Sequence, residues 1–303
     1  MGGRPLLLEA VLLSITAAWH RPIINPTGRH VTDRDRGPFS RLLSLGSVDR
    51  LLWTIIEVML TLVCASQQYP SHFSRSTLLG RSLRQFPPAL RPRLFLVAGN
   101  RGEHCQGLSE IYNKAIAELP PEGIVAFVHD DLFVHDWFLQ FRLERALRHF
   151  DLVGLAGEGE AGAQQGNWYF ERGENGGWKW SQRRPSGYLN HWDPSLVEPS
   201  AYGPTPRRCM VLDGVLLAAK VEVLQRSGLR FDPQFRFHAY DIDFCRSALA
   251  LGMRLGTWPI ACTHGSAGAH EGAWEEAVSR FHGKWSGKPW PAPPADDMSV
   301  GLE

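Results

Sequence analysis

The chain has 303 residues, 44% of them hydrophobic and 21% charged, and a formal net charge of +1. This is the composition of an ordinary soluble globular protein with enough apolar residues for a full core, in one large domain or two small ones. The near-zero charge argues against a broad nucleic-acid footprint, which needs a basic excess, but leaves room for a local cationic pocket.

Two early apolar stretches, 5–19 and 51–65, are short for a membrane span and carry Glu9 and Glu57. They are read as neither a transmembrane helix nor an export signal. Residues 20–50 hold Arg, Pro, Gly and Asp without sustained periodicity, as linker or poorly ordered chain does. From there strands and helices alternate. "MLTLVCAS" (59–66) predicts a buried strand and "RSTLLGRSLRQF" (75–86) a helix. "RLFLVAGN" (93–100) predicts a second strand, and "GLSEIYNKAIAEL" (107–119) a helix capped by Ser109. "GIVAFVHDD" (123–131) predicts a third strand, 135–150 an amphipathic helix, and "DLVGLAGE" (151–158) a fourth strand. Such alternation implies βαβ units, a parallel sheet and helices on both faces. Ligands bind at the carboxyl ends of such strands, where Ser66, Asn100, Asp130 and Asp131 fall, so these four are expected to share one crevice. Residues 159–208, dense in Gly, Trp, Tyr and Arg, predict a functional loop or lid. Regular structure resumes with "MVLDGVLLAAK" (210–220), a helix over 241–252 and a strand over 254–264, before a Pro-rich tail.

Adjacent Asp130 and Asp131 repel each other unless a cation, donors or water compensate. A pair at a strand end suits Mg²⁺ or Mn²⁺ held together with a substrate diphosphate, and equally suits a turn. His264, ending a later strand before "GSAG", either completes a metal sphere or closes a turn. His129 is read as shaping the turn. Of Asp241 and Asp243, one is expected to be the N-cap or a first-turn residue of the helix, favoured by its dipole, and the other to face the site, where it would take a proton from an attacking hydroxyl. Trp168, Tyr169, Trp178, Trp180, Tyr188 and Trp192 offer flat faces on which sugar rings stack, or else form a small local core; base stacking is disfavoured by the charge.

In order and spacing, "LTLVCAS", "LFLVAGN", "GLSEIYNKAI", "IVAFVHDD", "VLDG", "FHAYDIDFC" and "IACTHGSAG" resemble the GT-A-fold, family-2-like glycosyltransferases. The likeness is to a bacterial branch with HDD in place of D-x-D, over residues 58–285, about three quarters of the chain. The resemblance implies an α/β GT-A (Rossmann-like) fold, with a largely parallel central sheet, helices on both faces and a mixed acceptor-side half. It implies three regions: an unmatched, poorly ordered extension (1–57), the transferase domain (58–288) and the tail (289–303). The extension is expected to be dispensable, an upstream misassigned start being one explanation.

The resemblance further implies metal-dependent, inverting transfer of a sugar from a nucleotide-diphosphate donor to a hydroxyl of a glycan, lipid-linked or protein acceptor, as in polysaccharide biosynthesis. Asp131 would hold a divalent cation (Mn²⁺ or Mg²⁺) bridging to the diphosphate, with Asp130 on ribose or metal and His264 as a further ligand. Asp241 would be the base, with Tyr240 where the family has Glu, and Asp213 the second choice. Ser66 and Asn100 would lie near the nucleoside, and Trp168, Trp178, Trp180 and Trp192 on the acceptor side. The alternatives are an inactive GT-A-like glycan-binding module and another metal-dependent nucleoside-diphosphate enzyme; "CASQQYPSHFS" lacks the phosphate loop of a nucleotidyltransferase. Cys64, Cys105, Cys209, Cys245 and Cys262, odd in number and widely spaced, fit reduced thiols in a cytoplasmic protein, peripheral to the membrane where the acceptor is lipid-linked.

Overall fold

The computed structural model describes residues 59–292 except 104, 182, 193–196 and 267–271. The expectations for residues 1–58 and for the end of the tail lie outside the described residues. Within them the chain forms β1 (Leu60–Ala65), α1 (Pro70–Ser76), α2 (Leu78–Gln85), β2 (Arg93–Val97), α3 (Leu108–Glu118), β3 (Ile124–Val128), β4 (Leu132–Val134) and α4 (Leu139–Ala146). Seven short strands follow: β5 (Leu152–Gly154), β6 (Ala156–Glu158), β7 (Phe170–Arg172), β8 (Trp178–Trp180), β9 (Pro185–Trp192), β10 (Val197–Gly203) and β11 (Arg207–Cys209). The remainder is β12 (Val211–Leu212), β13 (Leu216–Lys220), α5 (Val221–Ser227), α6 (Tyr240–Ala250), β14 (Leu255–Thr257), β15 (Cys262–His264) and α7 (Ala273–Lys284). None of these helices is long and apolar enough to cross a membrane.

A seven-stranded sheet, in the order β11-β14-β5-β13-β3-β1-β2, forms the centre of an α/β architecture. Strands β2, β1 and β3 run parallel, and so do β5 and β14. Strand β13 enters antiparallel between β3 and β5, and β11 antiparallel beside β14, which makes that half mixed. The central strands are apolar on both faces because both are covered. Val63, Val125, Phe127 and Leu217 pack toward α3, α5, α6 and α7. Their neighbours Leu62, Cys64, Ala126 and Leu216 pack toward α1, α2 and α4. This is the period-two alternation of a strand expressed as two cores rather than as core and solvent.

Three differences from the sequence reading have local causes. Ser109 does not cap α3: Gly107 does, its N–H donating to Glu110 at 2.8 Å, while Ser109 turns inward to the Phe235 carbonyl at 2.5 Å. The expected single strands 151–158 and 254–264 each divide in two, because β6 and β15 leave the central sheet for a second one, β12-β6-β9-β15-β4. Residues 159–208 therefore contribute strands to that sheet, with β10 paired on β9 and a β7–β8 hairpin beside it, rather than an irregular lid. The packed body also continues past Lys288. The Arg246 guanidinium sits 4.6 Å from the Trp285 ring and 4.4 Å from the Trp290 ring, and it donates to the Lys288 carbonyl.

Gly214, between β12 and β13, marks a close approach of α6 to the sheet. A Cβ there would lie 2.4 Å from the Tyr240 hydroxyl and 3.0 Å from the Asp241 Cβ. Gly283, exposed in α7, has open space around its missing Cβ. Gly214→Ala is expected to destabilise the protein by about 1–3 kcal/mol in denaturant melts, as overpacking does. Gly283→Ala is expected to stabilise it by about 0.5–1 kcal/mol through helix propensity.

Candidate active site

The strand registers bring together residues far apart in sequence. Parallel pairing of β1 with β3 matches Val63 to Phe127, so the chain leaves both strands side by side. Ser66 then donates its hydroxyl proton to Asp130 Oδ2 at 2.6 Å. Ser66 N–H bonds Val97 and its carbonyl receives Asn100 N–H, both at 2.9 Å, which ties the end of β2 to the same place. Antiparallel β13 carries Val215 to the His129 N–H at 3.2 Å, bringing Asp213 and Gly214 alongside. Antiparallel β15 and β4 pair His264 with Leu132, and the Gly265 N–H bonds the Asp131 carbonyl at 2.8 Å. The Leu79 N–H holds the Asp130 carbonyl at 3.0 Å.

A group of three metal-ligand side chains results. Ligand atoms of His129, Asp131 and His264 all lie within 4.8 Å of one another. Asp131 Oδ1 is 3.3 Å from His264 Nε2 and 3.8 Å from His129 Nδ1. That oxygen is buried and has no aligned hydrogen bond among the described residues. A carboxylate lone pair left open between two imidazoles matches the N/O donor set of a divalent transition ion such as Mn²⁺. Burial opposes ionisation of Asp131, but His264 and then His129 hold its carboxyl well below the usual range. Burial pushes His129 down, toward the neutral ring a ligand needs, despite Asp131. Burial also resists a charge on His264, where Asp131 prevails and raises it. Asp130 stands apart from the cluster on Ser66; burial raises its pKa against that hydrogen bond. His129, read from the sequence as a turn residue only, is thus one of the three.

Two cavities flank the cluster. One, of about 630 Å³, is lined by Ser66, Gln67, Asn100, Arg101, Asp130 and Asp131 among others. The four strand-end residues therefore do share a crevice. The Asn100 side chain is engaged within its loop, bonding Gln106 at 2.9 and 2.7 Å. The second cavity, of about 540 Å³, is lined by Asp213, Asp241, His191, His264, Trp168 and Trp180 among others; His129 and Phe237 line both.

Asp241 and Asp243 both fall in the first turn of α6, and neither is its N-cap, which is Ala239, in the left-handed region at φ 59°. Asp243 is buried, accepting from Lys284 Nζ and Trp285 Nε1 at 2.8 Å each. Asp241 faces the second cavity and accepts the Gly214 N–H at 3.2 Å. Burial, with the Asp213 charge nearby, pushes its pKa up to about 6. Asp213 accepts the Val215 N–H at 3.0 Å.

The aromatic residues separate as well. Trp168 is buried, packed edge-on at 4.7 Å against both Tyr169 and Tyr202, so it is wall and core together. Trp180, 56% exposed, lines the cavity with its ring 4.8 Å from that of Tyr169. Trp178 does not line the cavity: its Nε1 donates to Glu275 at 3.0 Å and its ring packs 4.6 Å from Trp274, which docks the hairpin on α7. Tyr188 bonds Asn190 at 2.6 Å. The Trp192 side chain lies outside the described residues.

No family model and no curated protein matches the chain. Among solved structures, 76% of it is similar to GalNAc-T7, crystallised with UDP, GalNAc and Mn²⁺, at 13% identity and a TM-score of 0.46. The chain spans about half of that protein, 48% of its length. It is also similar over 68% of its length to A197 from STIV, at 12% identity and a TM-score of 0.38, covering 85% of that chain.

The raised Asp241 pKa has a consequence for stability. The native state takes up this proton more readily than the unfolded chain does. The stability this confers is fully present below the unfolded value of 3.8 and is lost as pH rises through about 6. Asp241→Asn, which keeps an acceptor for Gly214, is expected to stabilise the metal-free protein by about 1–3 kcal/mol at about pH 7.5. The gain should shrink toward zero by about pH 4, as read from urea melts at the two pH values.

Proposed function

We propose that the protein is a metal-dependent glycosyltransferase of GT-A type. It would move a sugar from a nucleotide-diphosphate donor in the cavity of Ser66 and Asp130 to an acceptor hydroxyl in the cavity of Asp241 and Trp180. The observation that carries this reading is the His129–Asp131–His264 cluster lying between two cavities, with a base of raised pKa in one of them.

His129, Asp131 and His264 would hold the cation. When bound, it would offset the charge that builds on a leaving diphosphate. The residues supply the rest. Ser66 and Asp130 border the space for the nucleoside, beside the Arg101 guanidinium stacked 4.6 Å from the Tyr69 ring. Trp180 presents a flat apolar face to an acceptor ring. Asp241 takes the acceptor proton, and a pKa near 6 makes it a stronger base than an ordinary carboxylate while leaving it ionised at neutral pH. A base across the cluster from the donor favours attack from the face opposite the diphosphate, with inversion at the anomeric carbon. Asp213, within reach of the same cavity, is the second choice for the base.

A screen of nucleotide sugars with and without Mn²⁺, read by thermal shift and by release of nucleoside diphosphate, tests the reading. The parent is expected to show Mn²⁺-dependent stabilisation by one donor and slow hydrolysis of it. Asp131→Asn should lose both. Asp241→Asn should keep donor binding and lose about 10²–10⁴-fold in turnover. Turnover by Asp241→Asn at the parent rate would move the base to Asp213. Glycan binding with no hydrolysis of any donor would identify a glycan-binding module instead.

A further inference from the structure

We propose that Tyr240 is a positioning residue for the cation site: its hydroxyl holds His129 as the Nε2–H tautomer and so presents the bare Nδ1 to the cluster. The inference rests on the metal reading above and concerns how the ligand set is prepared before any cation arrives.

The argument is one of donors and acceptors. His129 Nε2 lies 2.7 Å from the Tyr240 hydroxyl, and that hydroxyl lies 3.1 Å from the Gly214 carbonyl. A phenol has a single proton, a carbonyl only accepts, and an imidazole nitrogen does either. All three are satisfied in one arrangement alone: Tyr240 donates to Gly214, and His129 donates from Nε2 to the Tyr240 oxygen. The ring proton is then on Nε2, leaving the Nδ1 lone pair facing Asp131 Oδ1. Asp131 cannot set the tautomer itself, since 3.8 Å is too long for an Nδ1–H hydrogen bond. His264 is 6.0 Å away ring to ring.

The Tyr240 ring is fixed in turn. It packs 5.9 Å from Tyr112 and 6.1 Å from Phe231, and no side chain larger than that of Gly214 fits beneath its hydroxyl. Tyr240 is also the first residue of α6, one position before Asp241. One helical turn therefore orients a cation ligand and carries the base that works beside it. Metal-bound imidazoles generally donate their second nitrogen to a carboxylate, a backbone carbonyl or water, a place the Tyr240 hydroxyl takes here, and losing such a partner weakens metal binding about 10–100-fold.

The test reads the tautomer and the affinity separately, on the full chain. ¹⁵N NMR of the metal-free, histidine-labelled parent, with His129 assigned by the signals missing from His129→Gln, is expected to show a protonated Nε2 and a bare Nδ1. Tyr240→Phe keeps the ring and removes the hydroxyl. It is expected to melt cooperatively, to lose the tautomer preference, and to bind Mn²⁺ about 10–100-fold more weakly by calorimetry. A proton on Nδ1 in the parent overturns the proposal, and so does Mn²⁺ affinity unchanged in Tyr240→Phe. If Tyr240→Phe does not fold, the parent's tautomer decides. A parent that takes up no Mn²⁺ overturns the cation reading and the proposal with it, whereas uptake indifferent to Tyr240 overturns the proposal alone.

Discussion

The site depends on one constraint: three electron-pair donors are held within 4.8 Å of each other by backbone pairing rather than by their own attraction. The antiparallel register of β15 on β4 sets His264 against Asp131, β13 on β3 sets Gly214 behind His129, and the start of α6 brings Tyr240 between them. Both registers belong to strands with buried apolar faces. A slip of one residue would turn those faces to the wrong side, so the core specifies the pairing strongly. The cluster is thus preorganised at the expense of the core. Asp131 Oδ1 remains buried without an aligned donor, and against burial its ionised form draws on His264 first, then on His129 and Ser266. A group in that condition is costly unless a cation completes it.

Helix α6 links this cluster to the rest of the molecule. Its first turn carries Tyr240 and Asp241 to the second cavity. One residue pair later, Asp243 turns to the opposite side and is met by Lys284 and Trp285. Lys284 also bonds Asp232 at 2.8 Å, so a single ammonium serves two carboxylates. Burial raises the Asp243 pKa, outweighing the Lys284 and Trp285 partners that favour its ionised form. Arg246, one turn on, is enclosed by Trp285 and Trp290. The helix is therefore anchored along its far side, which lets its near side hold a carboxylate in an unfavourable setting.

How much of this the sequence disclosed follows from what each signal depends on. Strands β1, β2 and β3 and helix α3 were legible because unbroken apolar runs and helical spacing are local properties, and so was the placing of Ser66, Asn100, Asp130 and Asp131 at strand ends. Asp131 and His264 were legible as metal-ligand types at strand ends. His129 was not, because a histidine before two aspartates reads as turn chemistry until β13 and α6 are known to stand behind it. The second sheet was hidden for a similar reason. Its strands are two to eight residues long, and β6 and β15 each follow a central strand after a short break, so period alone could not separate them. Trp178 and Trp180, two residues apart on β8, look alike in sequence. Only the contact with Glu275 and Trp274 shows that one docks the hairpin while the other faces the cavity.

The two carboxylates of the "HDD" segment end in different electrostatic situations, and that difference organises the site. Asp130 is held by a neutral hydroxyl and has its pKa raised, whereas Asp131 is held by two imidazoles and has its pKa lowered. Adjacent like charges are tolerated because each faces a different wall, one toward β1 and one toward β15. Across the cluster burial raises the pKa of both Asp241 and Asp243, but Asp241 faces the second cavity whereas Asp243 is met by the Lys284 ammonium. The residue that keeps the ligand side distinct from the base side is Tyr240, whose hydroxyl lies between His129 and the Gly214 carbonyl.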